Sequence, residues 1–208
     1  ELVSHGTPLE GVKPIALDGD YGCFMAASRL LWVRLSDLHC LSSVALPFPR
    51  HRAWLGKSHL LTRLLRIGIQ SGIIWGNEIV LAGEGVILSV TRSGHQLHQP
   101  RVESRFRQGR APLNLVGIRD VAGFDDGIVY GEYFSNPTRA PVAVMRRDAS
   151  GQWDSAYEFP TGEINHIHNL VPDPVRGCVW VLAGDFDQSA SVWIARKNFS
   201  EVEPVVRG

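Results

Sequence analysis

The 208 residues carry 21 Lys plus Arg against 21 Asp plus Glu, so no net charge draws the chain toward nucleic acid or an anionic membrane. Hydrophobic residues make up 44 %, ordinary for a globular protein, and no run approaches the roughly 20 apolar residues that cross a bilayer. Nucleic-acid and membrane partners are therefore not expected, and the length neither requires nor forbids a second domain.

The chain begins Glu1 to His5 with no basic stretch leading into an apolar core, so no signal peptide is read there. It also lacks an initiator Met, and the expectation is a processed or trimmed chain, or a piece of a longer product. Cys23, Cys40 and Cys178 are odd in number and far apart, with neither a CxxC pair nor zinc spacing. They read as free thiols, which favours a reducing, cytoplasmic setting.

From the first unit onward the chain repeats one pattern. An apolar run ends in a small residue, usually with a carboxylate, and a second apolar run follows. The copies are Cys23 to Ser28, Ile79 to Glu84, Ile128 to Glu132 and Val179 to Asp185. Val, Ile, Trp and Tyr dominate these runs, and Gly or Asp breaks them, which argues for strands. In the first unit, Val12 to Leu17 precedes the motif and Leu30 to Leu35 follows it. Between units, 53–66 reads as a loop, at most with one helical turn. The second unit runs from Leu65 to Gln70 through the motif to Val86 to Thr91, with a hairpin at Gly83-Glu84-Gly85. The polar connection 95–112, with Arg101, Arg105, Arg107 and Arg110, reads as a solvated loop. Leu113 to Arg119, the motif, Val142 to Arg147 and Ala156 to Phe159 form the third unit. Ile164 to Val171, the motif and Ser191 to Arg196 form the fourth.

Supersecondary units repeating every ~50 residues are the mark of propeller blades. The predicted fold class is therefore all-β, a β-propeller of four-stranded antiparallel blades at about 8–56, 60–100, 112–160 and 163–206. A two-sheet sandwich is the competing architecture, and the repeat favours the propeller. The four blades use up residues 1–208 as a single domain, so the expectation is part of a six- or seven-bladed ring. Open blade edges in such a part would invite pairing with a second copy, a homo-oligomer.

At Asp148-Ala-Ser-Gly151-Gln-Trp153 the chain looks like an Asp-box, the Ser-x-Asp-x-Gly-x-x-Trp turn, with one extra residue between Asp and Gly and Arg146 in the leading position. The stretches Tyr130 to Pro137, Gly162 to His168 and Trp180 to Asp185 strengthen the likeness. Over its second half the chain resembles sialidase-like, Asp-box (BNR) repeat β-propeller proteins, a bacterial group largely without assigned activities. The resemblance implies carbohydrate as a ligand class, by analogy of shape.

His166 and His168 are the leading functional candidates. Two positions apart on a strand, their imidazoles would share a face, where they could hold a metal, serve as base and acid on a sugar, or simply pack against neighbouring blades. Arg66 and Arg119 fall on the corresponding strands of neighbouring units and would bind a sugar carboxylate. Glu84, Glu132 and Asp185 end equivalent strands, either as ligands of a cation or sugar or as caps of the turns they enter. Tyr133 and Trp54 are candidates for stacking on a sugar ring, whereas Trp32, Trp75, Trp180 and Trp193 read as core. A sialidase needs a third arginine that the repeat does not place, so that activity is not expected. Two readings stand: a glycan-binding or scaffold propeller without catalysis, or a glycoside hydrolase or polysaccharide lyase using His166, His168 and Arg119. A protein-interaction platform would instead show a large apolar patch and no polar site. The sequence assigns neither a cofactor nor a metal.

Overall fold

The computed structural model describes residues 12–48, 68–109, 111–185 and 189–208. Strands make up nearly all regular structure among them, and none of the described residues forms a helix long and apolar enough to cross a membrane. Four sheets follow one another along the chain, each with its first four strands in sequential antiparallel order. The first contains β1 (Lys13–Asp18), β2 (Tyr21–Ala26), β3 (Arg29–Arg34) and β4 (His39–Ala45). The second contains β5 (Ile69–Trp75), β6 (Glu78–Gly83), β7 (Val86–Ser93) and the short β8 (Gln96–Leu97). A further strand, β9 (Arg101–Arg105), lies where a solvated loop was expected. The third sheet contains β10 (Val116–Ile118), β11 (Gly127–Gly131), β12 (Val142–Arg147) and β13 (Trp153–Phe159). The fourth contains β14 (Ile167–Asp173), β15 (Cys178–Ala183), β16 (Ser191–Arg196) and β17 (Glu201–Arg207). Strand β9 belongs to the second sheet yet lies beyond residue 100, where the second blade was expected to end. Residues 53–66 lie outside the described residues.

The chain divides into two compact units between Val102 and Glu103, each holding two sheets. In the first unit β1 lies against β5, and the Lys13 ammonium donates to the Ile69 carbonyl at 2.8 Å. The core of this unit is built from Cys23, Leu30, Trp32, Ile79, Leu81, Leu88 and their neighbours. Ile79, Val80, Leu81 and Ala82 are all at 0 % exposure, so both faces of β6 are covered. That explains why its sequence is a continuous apolar run rather than an alternation. Gly72 is needed where β1 approaches, because a Cβ there would stand 2.4 Å from Ile15 Cγ2.

In the second unit β14 lies against β10 and β11. Val129, Val144, Phe159, Leu170, Val181, Trp193 and Phe199 form one core from both sheets. Phe159 meets Trp193 edge-on at 5.1 Å, a favoured arrangement of ring quadrupoles. A buried ion pair runs alongside. The Arg147 guanidinium donates to both Glu103 oxygens at 2.9 and 2.5 Å, and Trp153 Nε1 donates to the same carboxylate at 3.0 Å. Both charged side chains are almost fully out of water, at 6 % and 0 % exposure.

The Asp148 hairpin between β12 and β13 shows turn chemistry in full. Its Oδ1 accepts from the Ser150 hydroxyl at 2.7 Å and from the Ser150 and Gln152 amides at 2.8 Å. Gly151 supplies the positive φ of 87° that closes the turn. The Ser150 hydroxyl and these amides hold the Asp148 carboxyl below the usual carboxylate range. The three cysteines are free thiols, as expected, and burial pushes the Cys23 thiol up to about 12. Of the four tryptophans read as core, Trp32 and Trp193 are buried, while Trp75 and Trp180 are half-buried.

Two consequences are measurable by denaturation. Glu103→Ala leaves a buried guanidinium without its partner and should cost about 3–5 kcal/mol in urea unfolding, whereas the double replacement Glu103→Leu with Arg147→Met should recover most of that loss. The depressed Asp148 carboxyl stabilises the fold above about pH 4, and that contribution disappears as pH falls through its folded value. Asp148→Ala should therefore lower Tm at pH 7, with the gap to wild type closing toward pH 2.

Candidate functional site

β11 and β15, the second strands of the two sheets in the second unit, end in a small residue followed closely by a carboxylate. After β11, Gly131 is followed by Glu132 and Tyr133. After β15, Ala183 is followed by Gly184 and Asp185. The two ends are tied through the start of β14, because the Ile167 amide donates to the Glu132 carbonyl and the Gly184 amide donates to the His166 carbonyl, both at 3.0 Å. The approach leaves no room for a side chain on Gly131, whose Cβ would lie 2.2 Å from Ile167 Cγ2.

His166 and His168 flank this junction. A register shift falls between Ile167, opposite Ala183, and Asn169, opposite Leu182, so His168 is the extra residue of a β-bulge. A bulge re-aims the side chain it carries. The two imidazoles consequently meet at 4.8 Å between centroids, nearly perpendicular, instead of lying parallel along a regular strand. Both reach the same carboxylate. His166 Nε2 stands 3.0 Å from Asp185 Oδ2 and His168 Nε2 stands 2.8 Å from Asp185 Oδ1. His168 Nε2 also lies 3.0 Å from the Gly184 carbonyl, an acceptor only, so this nitrogen carries a proton. The Tyr133 ring packs on both, at 4.5 Å from the His166 centroid and 5.7 Å from that of His168.

His166 is 7 % exposed, while the side chains of His168 and Asp185 are open at 34 % and 39 %. The cluster thus has a buried floor and a wet rim. Partial burial pushes the Asp185 carboxyl up, and the two imidazoles more than offset this, leaving it below the usual range. The segment before His166 is clamped by the buried Asn136, whose amide donates to the Ala140 and Asn165 carbonyls at 2.9 Å, with Asn165 donating back to the Asn136 carbonyl at 3.2 Å.

The remaining predicted residues divide. Glu132 stands at this end of its sheet but is committed elsewhere: its oxygens accept from Arg107 Nε and Nη2 at 3.1 and 3.0 Å, and from the Ala143 amide at 2.8 Å. It is a structural carboxylate anchoring the segment after β9. Glu84, in the first unit, caps a turn, accepting from the Gly68 amide at 2.5 Å. Arg119 follows β10, opposite the start of β11 at Gly127, so it sits at the far end of its sheet. Five residues of strand separate that end from Glu132, roughly 16 Å at about 3.3 Å per residue. The structure therefore does not bring Arg119 to the histidines. Arg66 and Trp54 lie outside the described residues. Arg107, read as part of a solvated loop, proves to bind both Glu132 and Glu158.

Successive four-stranded antiparallel sheets define the protein as an all-β propeller. Among solved structures, BamB from Moraxella catarrhalis matches with a TM-score of 0.50 at 8 % identity, covering 90 % of this chain and 50 % of that one. The β-propeller domain of Myceliophteria thermophila Cps50 (Swd1) gives a TM-score of 0.49 at 12 % identity, covering 89 % and 51 %. The chain thus spans about half the length of these structures, and at 8 % identity the likeness to BamB speaks to fold alone. No protein-family model and no curated protein matches the sequence.

Gly184 sets the position of Asp185. Its φ is 73°, and a Cβ there would fall 1.7 Å from the Ser189 carbonyl oxygen. Gly184→Ala should therefore cost at least about 1–3 kcal/mol in thermal or urea unfolding, from positive φ and backbone collision together.

Proposed function

We propose that the protein is a binding propeller and that its ligand docks on the corner formed by His166, His168, Tyr133 and Asp185. The observation that carries the reading is the convergence of two imidazoles on one carboxylate at an accessible rim. Exposed polar groups held this way by a bulge and a buried clamp are preorganised for a ligand. The resemblance of the second half of the chain to sialidase-like propellers makes carbohydrate the proposed ligand class. Sugar hydroxyls suit these donors and acceptors.

Binding is favoured over catalysis by what lies around the histidines. A glycosidase or lyase acting on a uronic or sialic acid would want an arginine for the sugar carboxylate. Arg119 is at the opposite end of its sheet, and Arg107 is held by Glu132 and Glu158. Tyr133 packs against the two imidazoles, so its role in this reading is to hold them rather than to stack on a sugar.

A glycan array carrying sialylated, uronic-acid and neutral oligosaccharides tests this directly. The wild-type chain should bind a restricted set, and His168→Ala should weaken that binding at least tenfold, about 1.4 kcal/mol. Absence of any binding, or binding indifferent to His168→Ala, would remove the reading. Release of new reducing ends or unsaturated uronic acids from a bound oligosaccharide would replace it with the enzyme.

A further inference from the structure

His166 presents an unusual account of its polar atoms. It is 7 % exposed, and among the described residues neither ring nitrogen has a hydrogen-bond partner. Nε2 stands within ion-pair distance of Asp185 Oδ2, at 3.0 Å, yet off the line that an N–H bond would need. A neutral imidazole always carries one donor and one acceptor, and burying both unmet forfeits their hydration. A buried polar group left this way in an otherwise well-bonded corner points to a partner of another kind.

We propose that His166, His168 and Asp185 are the ligands of a single divalent transition-metal ion of the zinc type, with a further coordination position open to solvent. This rests on the reading of the same corner as the ligand site, and deepens it by naming what would contact the ligand. One donor atom from each of the three residues lies within 4.8 Å of the others. In a tetrahedral site with bonds of about 2.0–2.2 Å, donors stand about 3.3–3.5 Å apart. The two imidazole–carboxylate distances, 3.0 and 2.8 Å, therefore open by about half an ångström, and a donor pair at the 4.8 Å limit closes by about 1.4 Å.

The chemistry of the donors selects the ion. Two imidazole nitrogens and one carboxylate suit zinc and its neighbours, whereas calcium and magnesium demand a shell of oxygens. Binding needs the His168 tautomer with its proton on Nδ1 in place of Nε2, so that both imidazoles offer a lone pair to the ion. An ion also satisfies His166 Nε2 without requiring the N–H alignment that the carboxylate lacks. Tyr133 lies against both rings and limits their rotation. Three protein ligands leave a place for a water or for a ligand oxygen, and the exposed His168 and Asp185 put that place on the rim.

The test is metal uptake by the full chain with no sugar present. After treatment with EDTA and dialysis, the chain is titrated with Zn²⁺ by calorimetry and with Co²⁺ by visible absorption. One ion per chain is expected, with the d–d bands of a low-symmetry nitrogen and oxygen site, and Zn²⁺ should raise Tm. Asp185→Asn, nearly isosteric and on the rim, and His168→Ala should each weaken binding by at least roughly 100-fold, the upper end of what losing mere outer-shell support costs. His98→Ala, a surface histidine bonded to Ser93, should leave it unchanged. Failure to bind, binding that survives Asp185→Asn and His168→Ala, or binding lost in His98→Ala overturns the site. Zinc uptake without any glycan binding keeps the metal site and removes the carbohydrate reading. Glycan binding by a chain that takes up no zinc does the reverse.

Discussion

The hydrogen bond from the Ile167 amide to the Glu132 carbonyl is the tie on which the candidate site depends. It joins the end of the third sheet's second strand to the start of the fourth sheet, and it can form only because Gly131 carries no side chain to meet Ile167. Once the strands are drawn together, the residues on either side of Ile167 have no freedom left. His166 is pinned by the Gly184 amide on its carbonyl, and His168 is squeezed out of the ladder as a bulge. The imidazoles meet because the backbone leaves them nowhere else to go.

Three similar carboxylates nevertheless serve three purposes. Glu84, Glu132 and Asp185 each follow the small residue that ends the second strand of their sheet. Glu84 has a strand start beside it with a free amide at Gly68, and it caps that amide. Glu132 has the guanidinium of Arg107 arriving from the segment after β9, and it is neutralised there. Among the described residues Asp185 has neither, and the groups paired with it are the histidines. Position along the repeat is shared, whereas the partner comes from a neighbouring segment that does not repeat.

That division also decides what could be read from the chain alone. Strand order and sheet boundaries follow from local hydrophobic runs and Gly–Asp turns, and 116–118, 127–131, 142–147 and 153–159 sit close to where the pattern placed them. The pairing of His166 with His168 was legible as well, though through a different geometry. Simple alternation puts both on one face, and the bulge at His168 instead turns them perpendicular. A one-residue register shift leaves no mark in composition or period. The buried pair Glu103 with Arg147 and the clamp of Arg107 on Glu132 were equally hidden, because a run of charges reads the same whether it faces water or a partner 44 or 25 residues away. Arg119 shows the opposite failing. It was read as the last residue of the first strand of its unit and in fact follows β10, but a strand has two ends, and periodicity does not say which one a ligand visits.

The bulge itself is not peculiar to the site. The first strands of the first and second sheets carry the same shift, between Pro14 and Ala16 and between Ile69 and Ser71, leaving Ile15 and Gln70 where the fourth sheet has His168. It is therefore a property of how a first strand enters its sheet, retained with three different side chains. In the second sheet Gln70 turns back to the Gly68 carbonyl at 3.3 Å, and Glu84 holds the neighbouring amide, so the corner satisfies itself. In the first sheet Ile15 is apolar and fills space against the position of Gly72. The third sheet pairs regularly among Val116, Gly117 and Ile118 and shows no shift there. Among the described residues, only the fourth sheet brings a re-aimed imidazole, a second imidazole and a carboxylate paired with both to one bulge. A device that elsewhere closes the backbone on itself here leaves donor atoms over, and those surplus donors give the corner its capacity to bind.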